Sequence, residues 1–137
     1  MEFTQCVNFL LTKAQQTVYQ YFKSRLADFD VTPVQYGILA SLWLNDGQSP
    51  SQIACSLNLD SSTITGLLDR MENKQLLQRQ PDAQDRRALR VFLTETGKEL
   101  RVPLEKVVEE ANVYVLEHLG SEEQDELKKL LVKVGKK

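Results

Sequence analysis

The chain has 137 residues, 42% of them hydrophobic and 26% charged, which is one domain's worth of globular protein that can bury a core without disulfide or metal staples. Its longest apolar stretch, residues 38–44, is interrupted by Ser41 and falls far short of the roughly 20 residues of a membrane span. The N-terminus carries no basic segment followed by an apolar one, so a cytoplasmic location and no membrane partner are expected.

The net charge of −2 argues at first against nucleic acid, but the charge is segregated. Residues 70–90 hold six basic side chains (Arg70, Lys74, Arg79, Arg86, Arg87, Arg90) against three acids, a local charge of +3. Residues 95–126 hold ten acids against Lys98, Arg101 and Lys106. A phosphate backbone responds to the field within a Debye length, roughly 8–10 Å, so the local value governs. Cys6, Cys55 and His118 are too dispersed for a zinc site, and reduced thiols are expected, Cys55 as a small packing residue.

In chain order, residues 3–28 read as a long amphipathic helix, with Phe3, Val7, Leu10, Leu11, Ala14, Val18, Phe22 and Leu26 at helical spacing. Thr32-Pro33 caps and starts a second helix to about Asn45, apolar on most sides and therefore central. Gly47 is available for a left-handed cap after it. Ser49-Pro50 opens a short helix ending near Leu57, Asn58 tolerates positive φ at the turn, and Asp60/Ser61 caps a further helix to about Lys74. Leu76–Gln80 and Arg90–Leu93 are extended runs flanking a polar loop, a hairpin pattern. Thr94 caps a segment over 95–119 that Pro103 kinks near its start, and Ser121 with Gln124 is spaced as a capping box for a last helix. The expected fold is mainly α with a small β-hairpin wing (α+β).

Ile53, Ala54, Leu57, Leu59, Ile64 and Leu67 are the apolar set that two short crossed helices bury. On the outward face of the second, Ser61, Ser62, Thr63, Thr65 and Gly66 crowd the N-terminal turns, with Arg70 a turn later. Short side chains and free backbone N–H groups there let a helix end approach phosphates and base edges. Ser49, Ser51 and Gln52, at the N-terminus of the preceding helix, join this expected DNA-binding set. The hairpin contributes Arg79, Asp85, Arg86, Arg87 and Arg90. An arginine at its tip can enter the minor groove, and Asp85 can hold a neighbouring arginine in register. Helix, turn, capped helix and basic hairpin in this order describe a winged helix-turn-helix that reads duplex DNA. No acid–base pair is tied together by a motif, so neither an enzyme nor a cofactor is expected. Three amphipathic segments (3–28, 98–119, 127–134) around one small lobe suggest association surfaces.

The run Asp60-Ser-Ser-Thr-Ile-Thr-Gly-Leu-Leu-Asp-Arg-Met-Glu72, then Asp82-Ala-Gln-Asp-Arg-Arg87, then Leu93-Thr-Glu-Thr-Gly97 resembles the MarR family of bacterial transcription regulators. The element order matches over essentially the whole chain, and the residues match over about 50–97. The resemblance implies a single domain over 1–137 with a DNA-binding lobe at 33–94 and dimerisation helices at 1–30 and 98–137. It further implies a homodimer, a pseudo-palindromic operator, and release of DNA by a small, often aromatic or lipophilic, ligand. Asp85 and Arg87 would be the wing's paired acid and minor-groove arginine. Two residues depart from the pattern: Gly66 stands where many relatives carry arginine, and Gln75 where a glycine often ends the recognition helix. Some members sense peroxide through a first-helix cysteine; Cys6 lies two residues before that register, about 200° around a helix. Cys6-based peroxide sensing and a winged-helix protein-interaction module are the alternatives.

Overall fold

The computed structural model describes residues 1–136. Seven α-helices and one hairpin are formed: α1 (Val7–Leu26), α2 (Pro33–Leu44), α3 (Pro50–Leu57), α4 (Ser61–Asn73), β1 (Leu77–Pro81), β2 (Leu89–Leu93), α5 (Glu95–Glu99), α6 (Arg101–Val115) and α7 (Ser121–Val134). The chain divides into two compact units, Leu26–Lys106 and a second made of Met1–Arg25 with the chain from Val107 onward.

The Leu26–Lys106 unit holds nearly all the buried apolar residues. Ile38, Leu39 and Leu42 of α2 are fully enclosed with Ile53, Leu68, Met71, Leu77, Val91 and Leu104. Each such side chain contributes about 1.5–3 kcal/mol through removal from water. The central position expected for α2 therefore holds, although Leu44 at its end stays exposed. Thr32 accepts the Gln35 N–H while Gln35 accepts the Thr32 N–H, and Pro33 fills the first helical position, where a missing N–H is harmless. Ser49, Gln52 and Pro50 repeat this device at α3. Asn58 (φ 56°) closes α3 in the left-handed conformation, as its residue type suggested, and Gly47 has φ 80°. Gln75 does adopt positive φ (61°), a conformation glycine would take without steric penalty.

Strands β1 and β2 pair antiparallel in the register Leu77↔Leu93 to Pro81↔Leu89, one residue longer at the loop end than the sequence suggested. A third segment joins them. Gly47 N–H donates to the Val91 carbonyl (2.9 Å), Val91 N–H to the Gln48 carbonyl (2.8 Å) and Leu93 N–H to Asp46 (2.9 Å). The loop after α2 thus anchors the hairpin to the helical core.

Four local expectations are corrected. The first helix spans only Val7–Leu26, with 3-10 turns at Phe3–Gln5 and Ala27–Phe29. The segment expected over 95–119 is two helices broken at Leu100, because Pro103 cannot donate to the Glu99 carbonyl and its ring crowds that group. At α7 the cap is Gly120, whose N–H donates to Glu123, while Gln124 reaches back to the carbonyls of Leu116 and Leu119. Cys55 is exposed rather than packed, and Cys6 sits half-buried just ahead of α1; both are free thiols.

In the second unit Tyr21 stacks on Tyr114 with ring centroids 4.2 Å apart, and Arg25 pairs with Glu110 at 2.6 Å. Its only buried apolar residue among those described is Ala111. Phe3, Val7, Leu10, Val113, Val132 and Val134 all remain half or more exposed. No helix among the described residues is long and apolar enough to cross a membrane.

Candidate DNA-binding interface

Helices α3 and α4 form the helix-turn-helix, with Ile53, Ala54, Ile64, Leu67 and Leu68 buried on their inner faces. That burial turns Ser61, Ser62, Thr63, Thr65 and Arg70 outward, and all five are exposed. Several of these groups are internally engaged. Asp60 accepts the Thr63 N–H (2.7 Å) and the Ser62 hydroxyl (2.9 Å), and the Thr65 hydroxyl donates back to the Ser61 carbonyl (2.9 Å). The Asp60 carboxyl is held below the usual carboxylate range, chiefly by the Thr63 N–H, with hydroxyls of Thr63 and Ser62 adding. The expectation of a free anion site at this helix end is therefore corrected: the chain's own carboxylate fills part of it. At α3, Ser49 and Gln52 are occupied in capping one another, and Ser51 is exposed with its hydroxyl 3.3 Å from that of Ser49.

The six basic residues of 70–90 separate into two groups. Three are clasped by the fold. Lys74 donates to the Asp30 carbonyl (2.7 Å) and to Gln35 (3.1 Å). Arg79, on β1, pairs with Asp69 and Glu72 of α4 while its backbone N–H donates to Glu72 at 2.8 Å. Arg90, on β2, donates to Asp82 (2.7 Å) and to the Gly47 carbonyl (2.8 Å). The other three face outward. Arg70 and Arg86 are exposed, and their side chains make no hydrogen bond or ion pair among the described residues. The Arg87 side chain is 93% exposed, yet both its backbone N–H (3.1 Å) and its Nε (3.4 Å) donate to Asp85. Asp85 thus sets the direction of an arginine that otherwise projects into solvent, as proposed from the sequence.

Of the clasped residues, Arg79 connects the wing to α4, Arg90 ties β2 to Asp82 and to the loop after α2, and Lys74 ties the end of α4 to Asp30 and Gln35. Glu72 lies below the usual carboxylate range, first because it accepts the Arg79 N–H and second because of the guanidinium. Arg79 is raised, mainly by Asp69. Asp82 is lowered by the Gln84 N–H and then by Arg90. A carboxylate whose folded pKa is depressed stabilises fully above its unfolded value, about 4. That stabilisation is lost as pH falls through the lower folded value, so these clamps are intact at neutral pH. Asp69 and Glu72 lie one turn apart on α4, so one guanidinium on β1 reaches both.

A helix-turn-helix braced against an antiparallel hairpin, with arginines on the helix and at the hairpin tip, defines the winged helix-turn-helix class. Within that class the chain matches the model of the MarR family over residues 31–89. The transcriptional repressor NicR of Pseudomonas putida is 33% identical over 97 residues, covering 71% of this chain and 61% of that protein. The chain spans between 41% and 61% of the length of the first curated relatives it matches. Among solved structures, the repressor CouR bound to a 23-mer DNA duplex aligns with a TM-score of 0.93 at 26% identity, over 98% of this chain and 96% of that one. Bordetella bronchiseptica BpsR, whose DNA binding is regulated by 6-hydroxynicotinic acid, aligns with a TM-score of 0.94 at 25% identity, over 100% and 98%. The expectation that the chain is not an enzyme accords with its kinship to transcription regulators.

Proposed function

We propose that this chain is a dimeric, sequence-specific repressor of transcription that binds a pseudo-palindromic duplex operator through α4 and the hairpin. The observation that carries the reading is Arg87, exposed at the hairpin tip and aimed by Asp85, beside a recognition helix whose own arginine is free. Ser61, Ser62, Thr63 and Thr65 offer hydroxyls at the groove-facing end of α4, and Ser49, Ser51 and Gln52 offer backbone-positioning contacts at α3. Dimerisation is supported by the second unit, where three helices bury only Ala111 among the described apolar residues. Helices held together by so little core need a second copy to cover their apolar faces. A single chain would bind its half-site through the same wing and helix, and a two-fold pair doubles the phosphate contacts. Release by a small aromatic or lipophilic ligand is supported by the likeness to BpsR, and the site of repression is inside the cell with the DNA.

The test is a gel shift on the intergenic DNA beside the gene, repeated across salt concentrations. Affinity falls steeply with salt, each neutralised phosphate contributing about 0.9 to the slope of log K against log salt. Dimeric protein that leaves DNA unshifted at low salt points instead to a winged-helix module for a protein partner.

Arg79 gives a second prediction. Because its guanidinium is spent on Asp69 and Glu72, Arg79→Ala weakens operator binding about tenfold by loosening the wing, and leaves the salt slope unchanged, whereas loss of a phosphate contact lowers the slope by about one. A slope reduced by about one per protomer would return Arg79 to the phosphate-contacting set.

A further inference from the structure

Gly66 lies on the outward face of α4, where no side chain projects, and one turn later Arg70 extends back across the gap. A Cβ built at position 66 would lie 3.6 Å from Nη1 and 3.8 Å from Nη2 of Arg70. The guanidinium therefore rests over the glycine, as the N-terminal lean of helical side chains favours. It carries its charge toward the end of α4 that enters a major groove. No acid lies three or four residues from Arg70 on α4, where a helical ion pair would form, since those positions are Gly66, Leu67, Asn73 and Lys74. The Arg70 side chain makes no hydrogen bond or ion pair among the described residues.

Building on the DNA-binding reading above, we infer that Arg70 is the base-reading residue of this chain, recognising one guanine in each half-site from the space that Gly66 leaves open. A guanidinium presents two parallel N–H donors, and the major-groove edge of guanine presents two acceptors, O6 and N7. No other base offers that pair. The hydroxyls nearby are less suited to discriminate, because those of Ser62 and Thr65 already donate within the helix. The absence of a side chain at 66 has a direct function in this arrangement. Alanine there meets Arg70 only in ordinary van der Waals contact, but any longer side chain occupies the volume in which the guanidinium lies.

Affinity for a panel of duplexes, each carrying one substituted base pair of the bound operator, tests this. Wild type prefers guanine strongly at one position per half-site. Arg70→Ala removes that preference, with about a tenfold loss per half-site on the original operator and little change on duplexes already substituted there. Arg70→Lys keeps the charge and the salt slope but loses the discrimination, since an ammonium cannot pair bidentately. Gly66→Ala retains the preference and Gly66→Leu loses it. The double variant Gly66→Leu/Arg70→Ala is no worse than Arg70→Ala alone, the signature of two residues sharing one function. If Arg70→Ala weakens all duplexes equally, or leaves the guanine preference intact, the assignment is overturned while the interface stands. If wild type shifts no DNA at low salt, both fall together.

Discussion

Replacing Arg87 by alanine lowers affinity for a two-fold operator by about a hundredfold, roughly tenfold for each wing withdrawn from its groove. The size follows from how the residue is held. Its side chain is almost wholly exposed, so the fold loses nothing measurable when it is cut back. Its direction is set in advance by Asp85, which accepts both the backbone N–H and Nε. That contact biases the side chain toward the orientation in which it would enter a minor groove, where a narrow cleft concentrates negative potential. The salt slope falls by about one for each arginine removed. Asp85→Asn keeps an acceptor for the backbone N–H but gives up the ion pair, and its loss is smaller. Arg86→Ala, which removes a neighbour of equal charge with no such brace, is the control for charge alone. Equal losses at Arg86 and Arg87 would mean that the tip acts as a diffuse charge. Unchanged affinity and slope in Arg87→Ala would remove the hairpin from the interface altogether.

The contrast between Arg87 and Arg79 shows what the sequence made legible. Features set by neighbours within four residues were readable: the Thr32-Pro33 start of α2, Asn58 in positive φ and Thr94 as a cap; the hairpin was readable from its two extended runs around a polar loop. Asp85 beside Arg87 belongs to this kind, since the bond spans two residues. The separation of six basic residues into three that face outward and three clasped by distant partners was not readable. It depends on Arg79 meeting Asp69 across ten residues, Lys74 meeting Gln35 across thirty-nine, and Arg90 meeting the Gly47 carbonyl across forty-three. A local charge of +3 counts all six alike, and only the fold shows which of them have distant internal partners. The misplacement of Cys55 has the same origin. One position beyond buried Ala54 on a two-turn helix, the residue faces outward by rotation, and small size alone could not place it. The exposed terminal helices were legible as apolar stripes, but the near absence of buried residues in their unit was not.

Gly97→Ala produces the largest loss of stability of any single methyl addition to this chain's glycines. Gly97 is buried in α5, and a Cβ there would lie 2.2 Å from the Leu76 carbonyl oxygen and 3.1 Å from a Leu93 methyl. The oxygen is backbone and cannot swing aside, so α5 must retreat from the root of the wing. That retreat strains three bonds at once: Thr94 N–H to the Leu76 carbonyl (3.1 Å), the Thr94 hydroxyl to the Gln75 carbonyl (2.6 Å), and Trp43 Nε1 to the Gly97 carbonyl (2.9 Å). Overpacking of this kind costs about 2–3 kcal/mol. For a chain of this length that corresponds to a fall in Tm of roughly 6–12 °C, measured at one fixed protein concentration because association makes Tm depend on it. Gly66→Ala supplies the opposite sign. Its new methyl meets only the far end of Arg70 at van der Waals distance, and alanine favours the helix over glycine by about 0.5–1 kcal/mol. The same substitution thus destabilises where α5 presses on the turn before β1, and stabilises on the open face of α4. A Gly97→Ala protein that melts within about 1 °C of wild type would show that α5 is not seated on the Leu76 carbonyl, since overpacking there should cost kcal/mol. The brace between recognition helix and wing would then have to rest on the clamp that Arg79 forms with Asp69 and Glu72.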